Sequence, residues 1–285
     1  MSAAPVEAAT NADAASADTT FRFERLTGSI GVRVTGLDVA RPLSASDVSV
    51  LRALWHGYGV LVLETPDSTD VQLKEFARNF GPLHVTKYAG ALSDEHPEVT
   101  VLDESAKKTV AGWHTDSTYE ERPPLGAMLR MVVRPEVGGD TLWATMYGAF
   151  ESLSSRMQRL IDGLTALHDA SMIYRLRKAE GREAEFVPRE AVHPCIYVDP
   201  VTHRRGLFVN SHYTQHINEL SESESRRVLA LLFEHVKAPE LQVRVRWEPG
   251  MMVMWNNPIT QHYAVPDYEG RRVVHRVTVL SSDGE

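Results

Sequence analysis

The chain has 285 residues, 43% hydrophobic and 24% charged, enough to build an ordinary globular core without disulfide or metal staples. Its formal net charge of −8 argues against nucleic acid or an anionic membrane surface as the main partner, and it has no run of about 20 apolar residues to span a membrane. The single cysteine, Cys195, excludes an intramolecular disulfide and argues against a Cys-based metal site; we expect it to be buried and inert, in a reducing cytoplasm.

Residues 1–20 are rich in Ala, Ser, Thr and Asp and contain no Lys or Arg. With neither the basic start nor the apolar block of a signal peptide, they read as a disordered tail, followed by a single domain over 21–285. The next elements expected are a strand at 29–36, a helix at 46–57 capped by Ser44 or Ser46, and a buried strand at 59–64. A helix over 70–79, capped by Ser68 or Thr69, should turn Val71, Leu73, Phe76 and Phe80 inward.

Sheet-like patterning then takes over, with strands at 99–103, 110–115, 126–133 and 140–144. A helix is expected over 146–166, and the polar stretch 174–190 reads as an irregular excursion or lid. Strands near 194–198, 206–209, 242–247, 251–255, 260–264 and 272–281 follow, interrupted by a helix at 221–236. Many short strands with Gly and Pro punctuation predict a mainly β jelly-roll sandwich or barrel with flanking helices.

The chemistry concentrates in Trp113-His114-Thr115-Asp116. On a strand, residues i and i+2 share a face, so His114 and Asp116 can reach one metal. His96-Pro97-Glu98 offers a competing spacing, but Pro97 cannot donate to a sheet ladder and that stretch reads as a loop. A second imidazole is available at His262, in Thr260-Gln261-His262-Tyr263-Ala264. Two His and one carboxylate on one face of an octahedron leave three positions open, the arrangement of non-haem Fe(II) oxygenases. Thr141 supplies a hydroxyl on an apolar strand. Arg272 and Arg276 lie one helical turn apart or on one face of a strand, and an Arg in an apolar strand calls for a carboxylate partner.

These motifs, W-H-T-D-S-T at 113–118, P-P at 123–124, G-G-D-T-L-W at 138–143 and Q-H-Y-A-V-P-D-Y at 261–268 followed by Arg272 and Arg276, resemble the taurine/2,4-D dioxygenase (TauD/TfdA) family of Fe(II)/2-oxoglutarate oxygenases. The resemblance runs from about Phe23 to Leu280. It implies a double-stranded β-helix, with His114, Asp116 and His262 as ligands to Fe(II). It implies 2-oxoglutarate and O2 as co-substrates, with Thr141 and Arg272 on the distal carboxylate of 2-oxoglutarate. Arg276 would grip a small anionic organic substrate: a carboxylate, sulfonate or sulfate. Retention of Asp116, which related halogenases replace by a small residue, favours hydroxylation.

The chain departs from the family pattern in places. The usual W-D-N is Trp255-Asn256-Asn257, which bears on orientation of the distal strand and not on metal binding. Members that take taurine carry a His in an L-H-x-H-P stretch and an Asn four residues before the first iron ligand; Thr86 and Val110 stand at those two substrate positions. Ser117-Thr118, Met146-Tyr147 and Gly206–Asn210 look more like the aryloxyalkanoate (phenoxypropionate) dioxygenases. An aryloxyalkanoate-like acid is therefore expected over taurine, with a homo-oligomer, dimer or tetramer. The alternatives are a non-catalytic 2-oxoglutarate sensor and a cupin-type hydrolase or isomerase. The paired Arg272 and Arg276 with Thr141 speak against the cupin, which has no reason to keep a dicarboxylate anchor.

Overall fold

Every residue of the apolar run at 60–63 is buried, because its sheet is covered on both faces. The computed structural model describes residues 19–65, 67–85, 92–104, 112–179, 181, 187 and 189–282. The first 18 residues of the expected tail, together with Thr86 and Val110, lie outside the described residues.

Strands β1 (Arg22–Arg25) and β2 (Val32–Thr35) pair antiparallel, and β2 runs parallel to β3 (Val60–Leu63) after helix α1 (Ala45–Tyr58). Helix α1 starts where the Ser44 side chain accepts from the Asp47 N–H (3.0 Å). It stops at Gly59, whose φ of 75° turns its own N–H back to the Trp55 carbonyl. Helix α2 (Asp70–Arg78) opens on a Thr69–Gln72 capping box. Leu73, Phe76 and Phe80 are buried as expected, but Val71 is 49% exposed: two residues from Leu73, it points away round the helix.

β4 (Thr100–Glu104), β5 (Gly126–Val133) and β6 (Thr141–Thr145) follow. The helix expected over 146–166 is instead α3 (Met146–Glu151), α4 (Ser155–Ile161) and a strand, β7 (Thr165–Asp169). The break is chemical: Ser152 returns its hydroxyl to the Gly148 carbonyl (2.7 Å), and Ser154 caps the next helix through the Met157 N–H (3.3 Å). Within 174–190, α5 (Ser171–Ala179) and the start of β8 (Glu190–Pro194) are regular; 180, 182–186 and 188 lie outside the described residues. The rest comprises β9 (Ile196–Val198), β10 (Arg205–Leu207), β11 (Thr214–Ile217), α6 (Glu222–His235), β12 (Gln242–Val245), β13 (Met252–Asn256), β14 (Thr260–Ala264) and β15 (Arg272–Val279). Sequence patterning did not anticipate β1, β7, β8 and β11.

The strands make a jelly roll. Its larger sheet has the order β1-β2-β3-β13-β5-β15-β4, and the facing sheet is β12-β6-β14. Alternation then decides which side chains meet. Leu61, Leu63, Met128, Met252, Met254, Val277 and Val279 pack outward against α1 and α2. Val60, Val62, Ala127, Leu129, Val253, Trp255 and Val274 turn inward, toward Trp143, Val243 and Trp247 of the facing layer. Arg272 and Arg276 have the parity of Val274, so β15 delivers both to the interior. His275 has the opposite parity and bonds Asp70 at the start of α2 (2.7 Å), where Arg130 also lands (3.0 Å).

Candidate active site

Residues 112–119 form no extended strand. His114 makes a single antiparallel bridge to His262 on β14, its N–H 3.2 Å from the His262 carbonyl and the return bond 2.9 Å. Residues directly opposite in such a bridge project to the same side, which brings the two rings to 4.2 Å between centroids. The chain then turns, with Ser117 at a left-handed φ of 53°. Asp116 therefore owes its place to a clamp and not to strand alternation. The Asn257 side chain accepts from the Asp116 N–H (2.9 Å) and donates to the Asp116 carbonyl (3.0 Å) and the Pro124 carbonyl (3.0 Å). Thr115 adds a bond to the Thr260 carbonyl (2.8 Å).

The result is one cluster. Asp116 Oδ1 lies 3.7 Å from His114 Nε2 and 3.9 Å from His262 Nε2. One ligand atom from each of the three residues falls within 4.8 Å of the others, a spacing that admits one ion between them. His114 Nδ1 is 2.9 Å from the Gly112 carbonyl, which can only accept, so Nδ1 carries a proton and Nε2 is the nitrogen turned toward Asp116. Burial, with the neighbouring His114, pushes His262 down to about 3, leaving a neutral imidazole. Burial pushes the Asp116 carboxyl up, but Arg276, His262 and His114 together bring it down to about 2, so it is ionised. Two imidazole nitrogens and one carboxylate are the donor set of a non-haem Fe(II) site. His262 Nδ1 is buried with no partner among the described residues.

Arg276 reaches this cluster from β15. Its Nη2 donates to Asp116 Oδ2 (2.8 Å), the oxygen turned away from the imidazoles, while its buried Nε has no hydrogen-bond partner among the described residues. Arg272 is 4% exposed and binds the Gly139 carbonyl through Nε (3.1 Å) and Thr141 Oγ1 through Nη2 (3.4 Å). Trp247 donates to the same hydroxyl (3.0 Å). Gly139 has a φ of 72°, and a Cβ there would lie 2.8 Å from Pro135, so the turn that aims its carbonyl at Arg272 needs glycine. Thr141 and Arg272 thus meet across the two sheets, beside but separate from the triad.

Other expectations resolve simply. Glu98 pairs with Lys74 (3.3 Å) and Arg78 (2.7 Å) and takes no part in the cluster. Cys195 is fully buried, and burial pushes its thiol up to about 12. Asn256, at the family's Asp position, turns toward His56 (3.4 Å), which also meets Asp199 (3.3 Å).

Sequence reasoning passed over the supports. His212 stacks on His114, and no local motif marks it. Thr118 is held from three sides: by His168 Nδ1 (2.8 Å) and Asn210 Nδ2 (3.0 Å) at its hydroxyl, and by His193 Nε2 at its carbonyl (2.8 Å). His168 is fully buried, and burial, with His193 nearby, pushes it down to about 3. The unfolded chain takes up that proton near pH 6.5, so the stability contributed by neutral His168 is complete above pH 6.5. It is lost as pH falls toward 3, by at most about 1.4 kcal/mol per pH unit. Unfolding free energies measured from pH 7 to 5 should fall less steeply in His168→Gln than in the parent; equal slopes would contradict this.

The description "Taurine catabolism dioxygenase TauD, TfdA family" matches residues 22–278. An alpha-ketoglutarate-dependent sulfonate dioxygenase of Saccharomyces cerevisiae is 30% identical over 90% of this chain, which spans 65% of that protein's length. An alpha-ketoglutarate-dependent sulfate ester dioxygenase of Pseudomonas putida is 32% identical, covering 88% of this chain and 87% of its own. A 2,4-dichlorophenoxyacetate dioxygenase of Cupriavidus pinatubonensis is 32% identical over 87% and 93%. Among solved structures, a taurine dioxygenase from Burkholderia xenovorans superposes with a TM-score of 0.80 at 30% identity, covering 93% of each chain. Among the described residues, no helix is long and apolar enough to cross a membrane.

Proposed function

The chain belongs to the TauD/TfdA family and is a 2-oxoglutarate-dependent dioxygenase that uses Fe(II) and O2, and from that premise we propose that it hydroxylates a small anionic organic substrate held by Arg276. The observation that carries the proposal is the position of Arg276: inside the jelly roll, beside the triad, with a buried N–H that has no partner among the described residues after Asp116 is served. A guanidinium has five donors and no acceptor, so its free edge selects an anion.

In this reading His114, Asp116 and His262 hold the iron. With 2-oxoglutarate and O2 bound, the metal supplies oxidative decarboxylation to succinate and CO2 coupled to oxidation of the substrate. Arg272 and Thr141 anchor the distal carboxylate of 2-oxoglutarate in a dry wall made by Trp247. Arg276 orients the substrate anion while its Nη2 holds the far oxygen of Asp116. Carboxylate, sulfonate and sulfate all suit that edge. Tyr119 and Tyr213, packed edge to face at 5.1 Å with Tyr213 also edge-on to His114, favour an aryloxyalkanoate-like substrate over taurine. We further propose that residues 21–285 act as one domain, in the cytoplasm, as a homo-oligomer.

Arg276→Gln tests the division of labour. The expected result is a rise of roughly tens- to thousands-fold in the primary-substrate KM, with a smaller loss of metal affinity and little change in the 2-oxoglutarate requirement. If the variant instead loses only 2-oxoglutarate affinity, Arg276 does not hold the substrate. A 2-oxoglutarate sensor would bind metal and 2-oxoglutarate but form no succinate in response to any anion.

A further inference from the structure

The His212 ring lies over that of His114, with centroids 4.6 Å apart and planes within 20°. It is 6% exposed, so the ring is packed inside the fold and not free in solvent. The contact is built from both sides. A Cβ at Gly112 would lie 1.9 Å from His212 Cε1, so only glycine leaves room for the ring. The same Gly112 offers the carbonyl that fixes the proton on His114 Nδ1 (2.9 Å).

The turn carrying His212 is bolted to the loop carrying the ligands. Asn210 Oδ1 accepts from the His212 N–H (3.1 Å) and the Tyr213 N–H (3.0 Å), while Asn210 Nδ2 donates to Thr118 (3.0 Å). Ser211 donates to the Trp113 carbonyl (3.0 Å). Tyr213 then packs edge-on against both imidazoles, at 6.2 Å and 5.9 Å. Among the described residues the His114 ring makes one hydrogen bond, to Gly112, and that bond alone leaves the ring free to tilt about the contact. A flat partner on its face removes the freedom and keeps Nε2 aimed at the point shared with Asp116 and His262.

We propose that His212 is a positioning residue of the metal centre, acting through its stacked ring face to hold the plane of His114. The proposal rests on the reading of His114, Asp116 and His262 as metal ligands. Stacked and edge-on ring contacts, and the supports of metal-binding imidazoles generally, carry effects of about tenfold in binding.

The test uses Co(II) titrated into the full-length protein, read by affinity and by the visible absorption of the bound ion. His212→Ala should weaken Co(II) binding by about tenfold and change the band shape. His212→Phe keeps a flat ring without the nitrogens, and should bind within about threefold of the parent with the parental band. Gly112→Ala should reproduce the alanine result at His212. The Gly112 φ lies outside the left-handed region, so alanine suits the backbone and its cost is the collision with the ring. Parental affinity and spectrum in His212→Ala would overturn the proposal, as would a His212→Phe variant as impaired as His212→Ala. If the parent binds Co(II) no better than His114→Ala does, the ligand assignment itself fails, which is a separate outcome.

Discussion

Asp116→Asn will bind divalent metal more than about a hundredfold more weakly than the parent and will form no succinate. Loss of a support around a metal ligand already costs about ten- to a hundredfold in affinity, and on the proposed assignment this change removes the charge of a ligand itself. Asp116 carries two jobs on two oxygens. Oδ1 faces His114 Nε2 and His262 Nε2 at 3.7 and 3.9 Å, and Oδ2 takes the Arg276 Nη2 at 2.8 Å. An amide satisfies neither well: it carries no charge for the cation, and it leaves the Arg276 guanidinium without a counter-ion. The same substitution should therefore also lower the melting temperature of the metal-free protein. A structural role alone would lower the melting temperature but leave tight metal binding in the fraction that stays folded. Equilibrium dialysis against Mn(II), with the melting curve of the same sample, separates the two.

Arg272→Gln will raise the 2-oxoglutarate requirement by roughly tens- to thousands-fold while leaving metal affinity within a few-fold of the parent. Removing one partner of a buried charge-assisted pair costs about 2–5 kcal/mol. Arg272 is nearly sealed from solvent, with Gly139, Thr141 and Trp247 around its guanidinium. Arg272→Lys should recover only part of the loss, because an ammonium cannot present the planar fork that meets a carboxylate with two parallel bonds. Titration of metal-loaded protein with 2-oxoglutarate checks this without turnover. Equal affinity in the parent and Arg272→Gln would remove Arg272 from the 2-oxoglutarate site.

Much of this layout is legible in the sequence. Strands β5, β13, β14 and β15 follow from alternation and apolar runs, since burial on both faces leaves few other ways to place such segments. The same parity rule put Arg272 and Arg276 on one face, which β15 fulfils. The triad was legible for a reason that turned out different in detail. Spacing suggested that His114 and Asp116 share a strand face; instead His114 is one bridge residue, and Asp116 is set by the amide of Asn257, far away in the chain. No local pattern carries a bond of that kind. The same holds for His212, whose role depends on the glycine at 112. The split of the 146–166 helix was hidden because Met146, Phe150, Leu153 and Ile161 are all buried at helical spacing across the break. Only the two serines that compete for backbone groups signal it. Asn256 faces His56, with its buried Oδ1 unpartnered among the described residues, and its neighbour Asn257 holds the loop that carries Asp116.

The most direct test of the central claim is succinate formation from 2-oxoglutarate by the full-length protein, with Fe(II) and air, across a panel of anions. The panel holds phenoxyacetate, both phenoxypropionate enantiomers, alkyl sulfates and taurine, with His114→Ala as the control. The account predicts succinate above background with at least one aryloxyalkanoate or sulfate, a weaker response to taurine, and no response in His114→Ala. Succinate formed equally well by His114→Ala, or independent of added Fe(II), would contradict it.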